Sequence, residues 1–233
     1  MFRRTATVMF LILSLMIVTL HLRAVTPIIA YTAIFISSSV VYWLLVRAAS
    51  RAELSDRMLA LILMALFAVR FSFLWMEPVG SDDVYRYMWD GRVQAAGINP
   101  FQFAPTDEHL KFLHSERLPS LVNYPHMKTI YFPLSQWLFY VSYHLSGDQV
   151  WGIKALIFLA EILTVIGLAL LMRESAYPLW RVLIYAANPL VILQFSLDAH
   201  LDALGFPFLM FGLLFYQRKN RVAALLLFGL SLL

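Results

Sequence analysis

The sequence predicts an all-α protein: a polytopic transmembrane helix bundle with one large extracytoplasmic loop that carries interfacial helices. Three observations predict it. Hydrophobic residues make up 61% of the 233 residues and charged ones only 14%, against roughly 45–50% and about 25% in soluble domains. Apolar runs approaching the roughly 20 residues of a membrane span recur along the chain. The basic residues gather in short clusters between those runs, as topology determinants do. With a mean hydropathy of +0.73, the surplus apolar surface has to face lipid.

The elements follow in order. Met1-Phe2-Arg3-Arg4 opens an apolar run over residues 5–20. No small-x-small cleavage site follows it and further spans do, so it reads as an uncleaved first helix. Spans are predicted next at 26–46 and 58–75. A polar stretch from about 77 to 147 forms the loop and its interfacial helices, and further spans are predicted at 151–172, 182–197, 204–216 and 222–233. Asn188-Pro189 predicts a kink in the fifth of these spans, with Asn188 meeting the freed backbone groups. No linker divides the chain, so residues 1–233 read as one membrane domain. The last run reaches residue 233 without a cap or polar tail, which predicts the N-terminal part of a longer protein.

Orientation comes from the short basic loops. Arg3 and Arg4 place the N-terminus in the cytoplasm, and Arg47, Arg51 and Arg57 place the next loop there too. The third span then delivers the long loop to the outside. Residues 131–145 decide the rest. If they span, Arg173, Arg181, Arg218, Lys219 and Arg221 fall outside; if they lie in the interface, those basic loops return inside. The segment is short, has Pro133 at its start, and is interrupted by Ser135, Gln136, Ser142 and His144. An interfacial helix with aromatic anchors fits it better. That choice puts Asp198, His200 and Asp202 on the same side as Asp82 and Asp83.

A net charge of +4 arises from these topology clusters, which argues against nucleic-acid binding. Cysteine is absent, which excludes disulfides and thiolate metal sites.

Ser81-Asp82-Asp83-Val84-Tyr85-Arg86-Tyr87-Met88-Trp89-Asp90-Gly91-Arg92 is the most informative segment. Ser81 has the character of an N-cap, with acids in the first turn. On a helix Asp83, Tyr87, Asp90 and Gln94 share one face, and Asp82, Arg86 and Trp89 the next. The pattern fits a capped amphipathic helix lying on headgroups. It also suits transfer of a group from a phosphate leaving group: a carboxylate accepts the proton of an attacking hydroxyl, and Arg86, Arg92 or Arg70 holds the departing phosphate. Arg70 could equally snorkel to the headgroups. A second cluster, Asp198-Ala199-His200-Leu201-Asp202, joins two apolar runs with almost no loop. Charged groups so close to hydrocarbon tend to mark function. His200 and Asp202 could bind a phosphate, tune the carboxylate or coordinate a divalent cation, although such spacing is also ordinary turn chemistry. No metal ligand set and no cofactor is assigned. Lys154 and Glu161 lie two turns apart, and Glu161, near mid-membrane, should face the protein interior.

The run from Ser81 to Gly91-Arg92-Val93, with Gly97-Ile98-Asn99-Pro100-Phe101, Asn123-Tyr124-Pro125, Thr129-Ile130-Tyr131-Phe132-Pro133 and His200-Leu201-Asp202-Ala203-Leu204, resembles GT-C glycosyltransferases that use polyprenyl-phosphate sugars. It is most similar to the bacterial polyprenyl-phosphate-mannose mannosyltransferase-like group. The resemblance implies a catalytic aspartate in the first outer loop, Asp83 before Asp82. It implies substrate contacts from Arg70, Arg86, Tyr87, Asp90, Arg92, Asn99, His200 and Asp202. It further implies transfer of a hexose, mannose first, from the lipid phosphate to a hydroxyl on a glycan or lipid acceptor, with inversion, on the extracytoplasmic side of the inner membrane. A multi-pass transporter and an inactive truncated fragment are the rival readings.

Overall fold

The computed structural model describes residues 27–52 and 54–232, so the predicted first span at 5–20 and the Arg3-Arg4 cluster lie outside the described residues. All regular structure among the described residues is helical.

Helix α1, Pro27–Ala49, carries three consecutive serines in an otherwise apolar sequence. Their hydroxyls donate back along the helix, Ser37 Oγ to Ala33 O at 2.8 Å, Ser38 Oγ to Ile34 O at 2.6 Å and Ser39 Oγ to Phe35 O at 2.7 Å. The donors are thus satisfied without water. Helix α2, Asp56–Ser72, begins at Ser55, whose side chain accepts from Met58 N–H, and buries Leu59, Ile62, Leu66 and Val69 along one stripe. Helix α3 is Asp83–Ala95, α4 is Pro133–Ser146 and α5 is Trp151–Glu174. Two short pieces, α6 (Val182–Ala186) and α7 (Pro189–Val191), follow; α7 runs on as a π-helical turn over Ile192–Leu197. Helices α8 (Phe206–Gln217) and α9 (Arg221–Leu230) close the described chain.

Two of these helices are long and apolar enough to cross a membrane, the α1 segment Tyr31–Ala49 and α5, and a third crossing is available if the bent pair Leu179–Ala186 and Pro189–Leu197 counts as one. The pair bends by 48° at the Asn188-Pro189 break. Asn188 Oδ1 accepts from Leu190 N–H at 2.9 Å, so the asparagine caps the restarted helix as its position suggested. The predicted spans at 58–75, 204–216 and 222–233 form helices of 17, 12 and 10 residues, the last two well short of the roughly 20 a bilayer requires. They pair as a hairpin in which Gly212 lets the Phe228 ring come close: a Cβ there would stand 2.6 Å from it.

Apolar side chains form two cores. One joins α1, α2, α6 and the π turn around Leu45, Leu66, Phe73, Leu183 and Leu193. The other joins α3, α4 and the first half of α5 around Trp89, Phe139, Ile153 and Ile157. Helix α5 belongs to both, with Val165 in the first and Ile157 in the second. It is the post on which the loop region stands.

Helix α4 is 14 residues long, about 21 Å. It is inverted relative to a soluble surface helix. Ser135, Gln136 and Ser142 are buried beside Phe139, while Trp137, Tyr140 and Leu145 are exposed. Gly91 makes the crossing with α3 possible, since a Cβ there would stand 2.4 Å from Phe139 O. Gly91→Ala must push the two helices apart and is expected to destabilise the protein by about 1–3 kcal/mol. Thermal unfolding in detergent checks this; an unchanged midpoint would show that the crossing yields freely.

Candidate active site

The site lies where α2, α3 and the π turn end against the top of α5. Lys154, one turn into α5 and fully buried, donates to three backbone carbonyls: Phe73 O at 3.1 Å, Met76 O at 2.6 Å and Leu197 O at 2.6 Å. The end of α2 and the end of the π turn are therefore held by one ammonium. Lower on the same face, Glu161 accepts from Arg70 Nε at 2.9 Å and from Ser196 Oγ at 2.7 Å. The inward orientation expected of Glu161 is observed, with both partners of the ion pair fully enclosed. Arg70 is thus neither at the headgroups nor at the loop surface. It is taken up by an internal carboxylate, and its Nη2 has no hydrogen-bond partner among the described residues.

Immediately after the π turn, Asp198 is completely buried. Its Oδ1 accepts from Val79 N–H at 2.9 Å and Gly80 N–H at 2.8 Å, and its Oδ2 from Tyr31 Oη at 2.9 Å. The strand of chain entering α3 is thereby tied to the chain leaving the π turn. Ala199 then takes φ +62°, in the left-handed region that a non-glycine residue enters at a cost. This turn delivers His200 toward α3.

Asp83 is the first residue of α3; Asp82, not Ser81, holds the N-cap position, and Ser81 Oγ accepts from Asp83 N–H at 3.3 Å. The Asp83 carboxylate meets two groups from distant sequence. Asn123 Nδ2 donates to Oδ1 at 2.7 Å. His200 Nδ1 stands 3.5 Å from Oδ2. The side chains of His200 and Asp83 are 25% and 29% exposed, so the pair is held yet open to an incoming group. Asp82 is exposed beside it.

The remaining predicted residues build the frame. Tyr87 is buried, stacks on Phe139 at 4.7 Å between ring centroids, and meets Tyr131 edge-on at 5.2 Å. Burial, with Tyr131 and the negative Asp83 nearby, raises its hydroxyl pKa far above the ordinary value. Burial and then Asp83 push Tyr131 up to about 12. Both phenols stay neutral hydrogen-bonding groups under the carboxylate. Arg86 Nε donates to Asp90 Oδ1 at 3.0 Å and its Nη1 to Met127 O at 3.0 Å. Asp90 Oδ2 accepts from Gln136 Nε2 at 2.8 Å, and Gln94 Nε2 donates to Gln136 Oε1 at 2.8 Å. Burial raises the Asp90 carboxyl against the opposing pull of Arg86, Thr129 and Gln136. The shared face predicted for Asp83, Tyr87, Asp90 and Gln94 exists; three of its four residues bind α4, and only Asp83 is left at the opening.

Arg92 donates to Leu113 O at 2.6 Å and pairs with Asp148, which fastens the loop to the α4–α5 turn. Asn99 closes its own turn, accepting from Phe101 N–H at 3.0 Å, at the rim of an open hollow of about 630 Å³ shared with Trp137 and Tyr140. Asp202 is exposed at a separate hollow lined by Gly205, Phe206 and Ser231. Of the predicted set, then, the structure brings together Asp83 and His200, with Asp82 and Arg86 adjacent in α3. Among the described residues no group of three or more metal-ligating side chains converges.

Two contributors escape sequence reasoning. Asn123 stands in the Asn123-Tyr124-Pro125 motif that carried the resemblance, but it lies in an irregular stretch and nothing local marks it as the partner of Asp83. Glu77 binds both Tyr85 Oη at 2.9 Å and Arg117 at 2.7 Å, which secures the segment before α3; its partners lie 8 and 40 residues away.

An apolar helical body whose mouth holds a half-open carboxylate beside an imidazole has the form of a membrane-associated group-transfer enzyme. The family model described as alpha-(1->6)-mannopyranosyltransferase, N-terminal domain, matches residues 3–233, and the chain belongs to that family. It is accordingly a glycosyltransferase of the mannosyl-transferring kind, and the transporter reading is set aside. Neither a curated protein nor a solved structure matches it.

Proposed function

We propose that the chain transfers mannose from a polyprenyl-phosphate donor to a sugar hydroxyl at the extracytoplasmic face of the membrane, with Asp83 as general base. The supporting observation is the carboxylate held by Asn123 on one oxygen and opposed by His200 on the other. With Oδ1 occupied, Oδ2 is the oxygen that takes the acceptor proton. As that proton moves, the acceptor oxygen bonds to the anomeric carbon and the carbon–phosphate oxygen bond breaks, its electron pair leaving with the lipid phosphate. An α product formed by inversion requires a β-linked donor, and a (1->6) linkage requires a primary hydroxyl on the acceptor. His200, half-open beside Asp83, is the side chain placed to hydrogen-bond the leaving phosphate. Arg70, Arg86 and Arg92 already hold internal carboxylates and serve the frame, as do Tyr87 and Asp90. Asp82 is the second carboxylate in reach. Asn99 and Asp202 lie at hollows of their own, where acceptor or lipid contacts are open to them.

The lipid carrier accounts for the place of the site. A sugar on a long hydrocarbon chain cannot travel far from the bilayer, and exposed Trp137, Tyr140, Phe132 and Ile130 suit a helix and loop seated among headgroups.

The test is transfer from labelled β-mannosyl polyprenyl phosphate to an octyl α-mannoside in membranes carrying this chain. Transfer supports the reading, and its absence overturns it for this chain. Topology has its own check in the cysteine-free sequence. Phe112→Cys, at an exposed loop position, should react with an impermeant maleimide in intact cells. Ser50→Cys, in the basic turn after α1, should react only after permeabilisation. The reverse pattern would place the site in the cytoplasm.

A further inference from the structure

The proposed reaction requires Asp83 and His200, 117 positions apart in the chain, to face each other within hydrogen-bonding reach. Neither helix geometry nor direct contact between the two explains this register. The pair touches only at 3.5 Å, and the apolar core that Phe195, Ala199 and Ala203 share with α3 is non-directional and does not by itself set the register of two polar side chains. A rigid joint stands behind them. Asp198, two residues before His200, takes the amides of Val79 and Gly80, four and three residues before Asp83, on one carboxylate oxygen. Its other oxygen accepts from Tyr31 of α1, which in turn accepts from Gln194 Nε2 at 2.6 Å. Lys154 holds the Leu197 carbonyl next to it. Gly80 is matched to the joint, because a Cβ there would stand 2.6 Å from Asp198 Oδ2.

We propose that Asp198 is the positioning residue of the active site: its buried carboxylate sets the register between the base Asp83 and His200 without touching substrate. A buried aspartate accepting three hydrogen bonds is far costlier to disrupt than an exposed turn residue, and so transmits position rather than yielding. Displacement of a reacting group by about 1 Å is enough to cost on the order of 100-fold in rate. The inference rests on the assignment of Asp83 as base for its kinetic consequence, and on geometry alone for its structural one.

The two are tested separately. In the cysteine-free chain, the pair Asp83→Cys/His200→Cys should be joined by a short bis-thiosulfonate reagent, and adding Asp198→Ala or Gly80→Ala should abolish the cross-link in protein that still elutes as a folded species. Persistent cross-linking in both backgrounds overturns the clamp. Kinetically, Asp198→Ala and Gly80→Ala should each lower kcat on the order of 100-fold with KM for the lipid donor little changed. Asp198→Asn, which keeps an acceptor for the two amides, should recover most of that loss. Added to Asp83→Asn, Asp198→Ala should cost little more, because the two act on one step. A purely structural role predicts less folded protein at unchanged kcat, and that result also overturns the proposal. Full activity of Asp83→Asn with cross-linking lost in Asp198→Ala would reject the base and keep the clamp.

Discussion

Asp83→Asn is expected to lower mannosyl transfer by about 10²–10⁴-fold, the usual contribution of a positioned general base, without unfolding the protein. Asparagine keeps an oxygen for Asn123 and the volume of the side chain, but its amide cannot take the acceptor proton. The loss should fall on kcat, because the carboxylate acts on the proton in flight rather than on the bound sugar. Asp82→Asn provides the contrast. Asp82 sits at the N-cap, exposed and without a side-chain cap bond, so its loss should impair transfer by less than about 10-fold on the scale set for a base. Kinetics of the two variants side by side decide between the carboxylates; a larger loss in Asp82→Asn would transfer the role of base to it.

The largest effect on stability is expected at Glu161. Its carboxylate is wholly enclosed and satisfies Arg70, Ser196 and, at 3.5 Å, Tyr185. Glu161→Leu leaves the Arg70 guanidinium buried without a counter-ion, which should cost about 3–5 kcal/mol. Removing both charges together, Arg70→Met with Glu161→Leu, should restore most of that loss, since an apolar pair carries no desolvation penalty to offset. Thermal unfolding in detergent of the single and double variants measures the coupling. A double variant as unstable as Glu161→Leu would show that the carboxylate matters for Ser196 and the π turn rather than for Arg70.

These two residues also show how far sequence reasoning reaches. Glu161 was legible as inward-facing because a carboxylate in the middle of an apolar run has nowhere else to go, but its partner was not: Arg70 lies 91 positions away on a helix whose own pattern allowed snorkelling. Asp83 was legible from the acid-rich start of α3 and from its resemblance to a family loop. The face it shares with Tyr87, Asp90 and Gln94 followed from helical spacing, yet spacing could not say that three of the four would be spent on α4. Arg86 and Arg92 show the same limit. Their charge suits a phosphate, but Asp90 and Asp148 compete for it, and only packing reveals the competitor.

By itself, the sequence determined the helical and apolar character of this protein, the break at Asn188-Pro189 and the concentration of acid chemistry at the start of α3. Each of these depends on interactions within a few residues: apolar content, a missing proline N–H, a helix N-terminus that attracts negative charge. The tertiary structure alone decided that Asn123 and His200 converge on Asp83, and that Asp198 and Lys154 hold the two chain segments behind them. Those contacts join groups 40 to 119 positions apart, and no local pattern encodes a partner at that distance. They exist because buried charges must be satisfied where the helices end, and the packing of α2, α3 and the π turn on α5 brings those ends together.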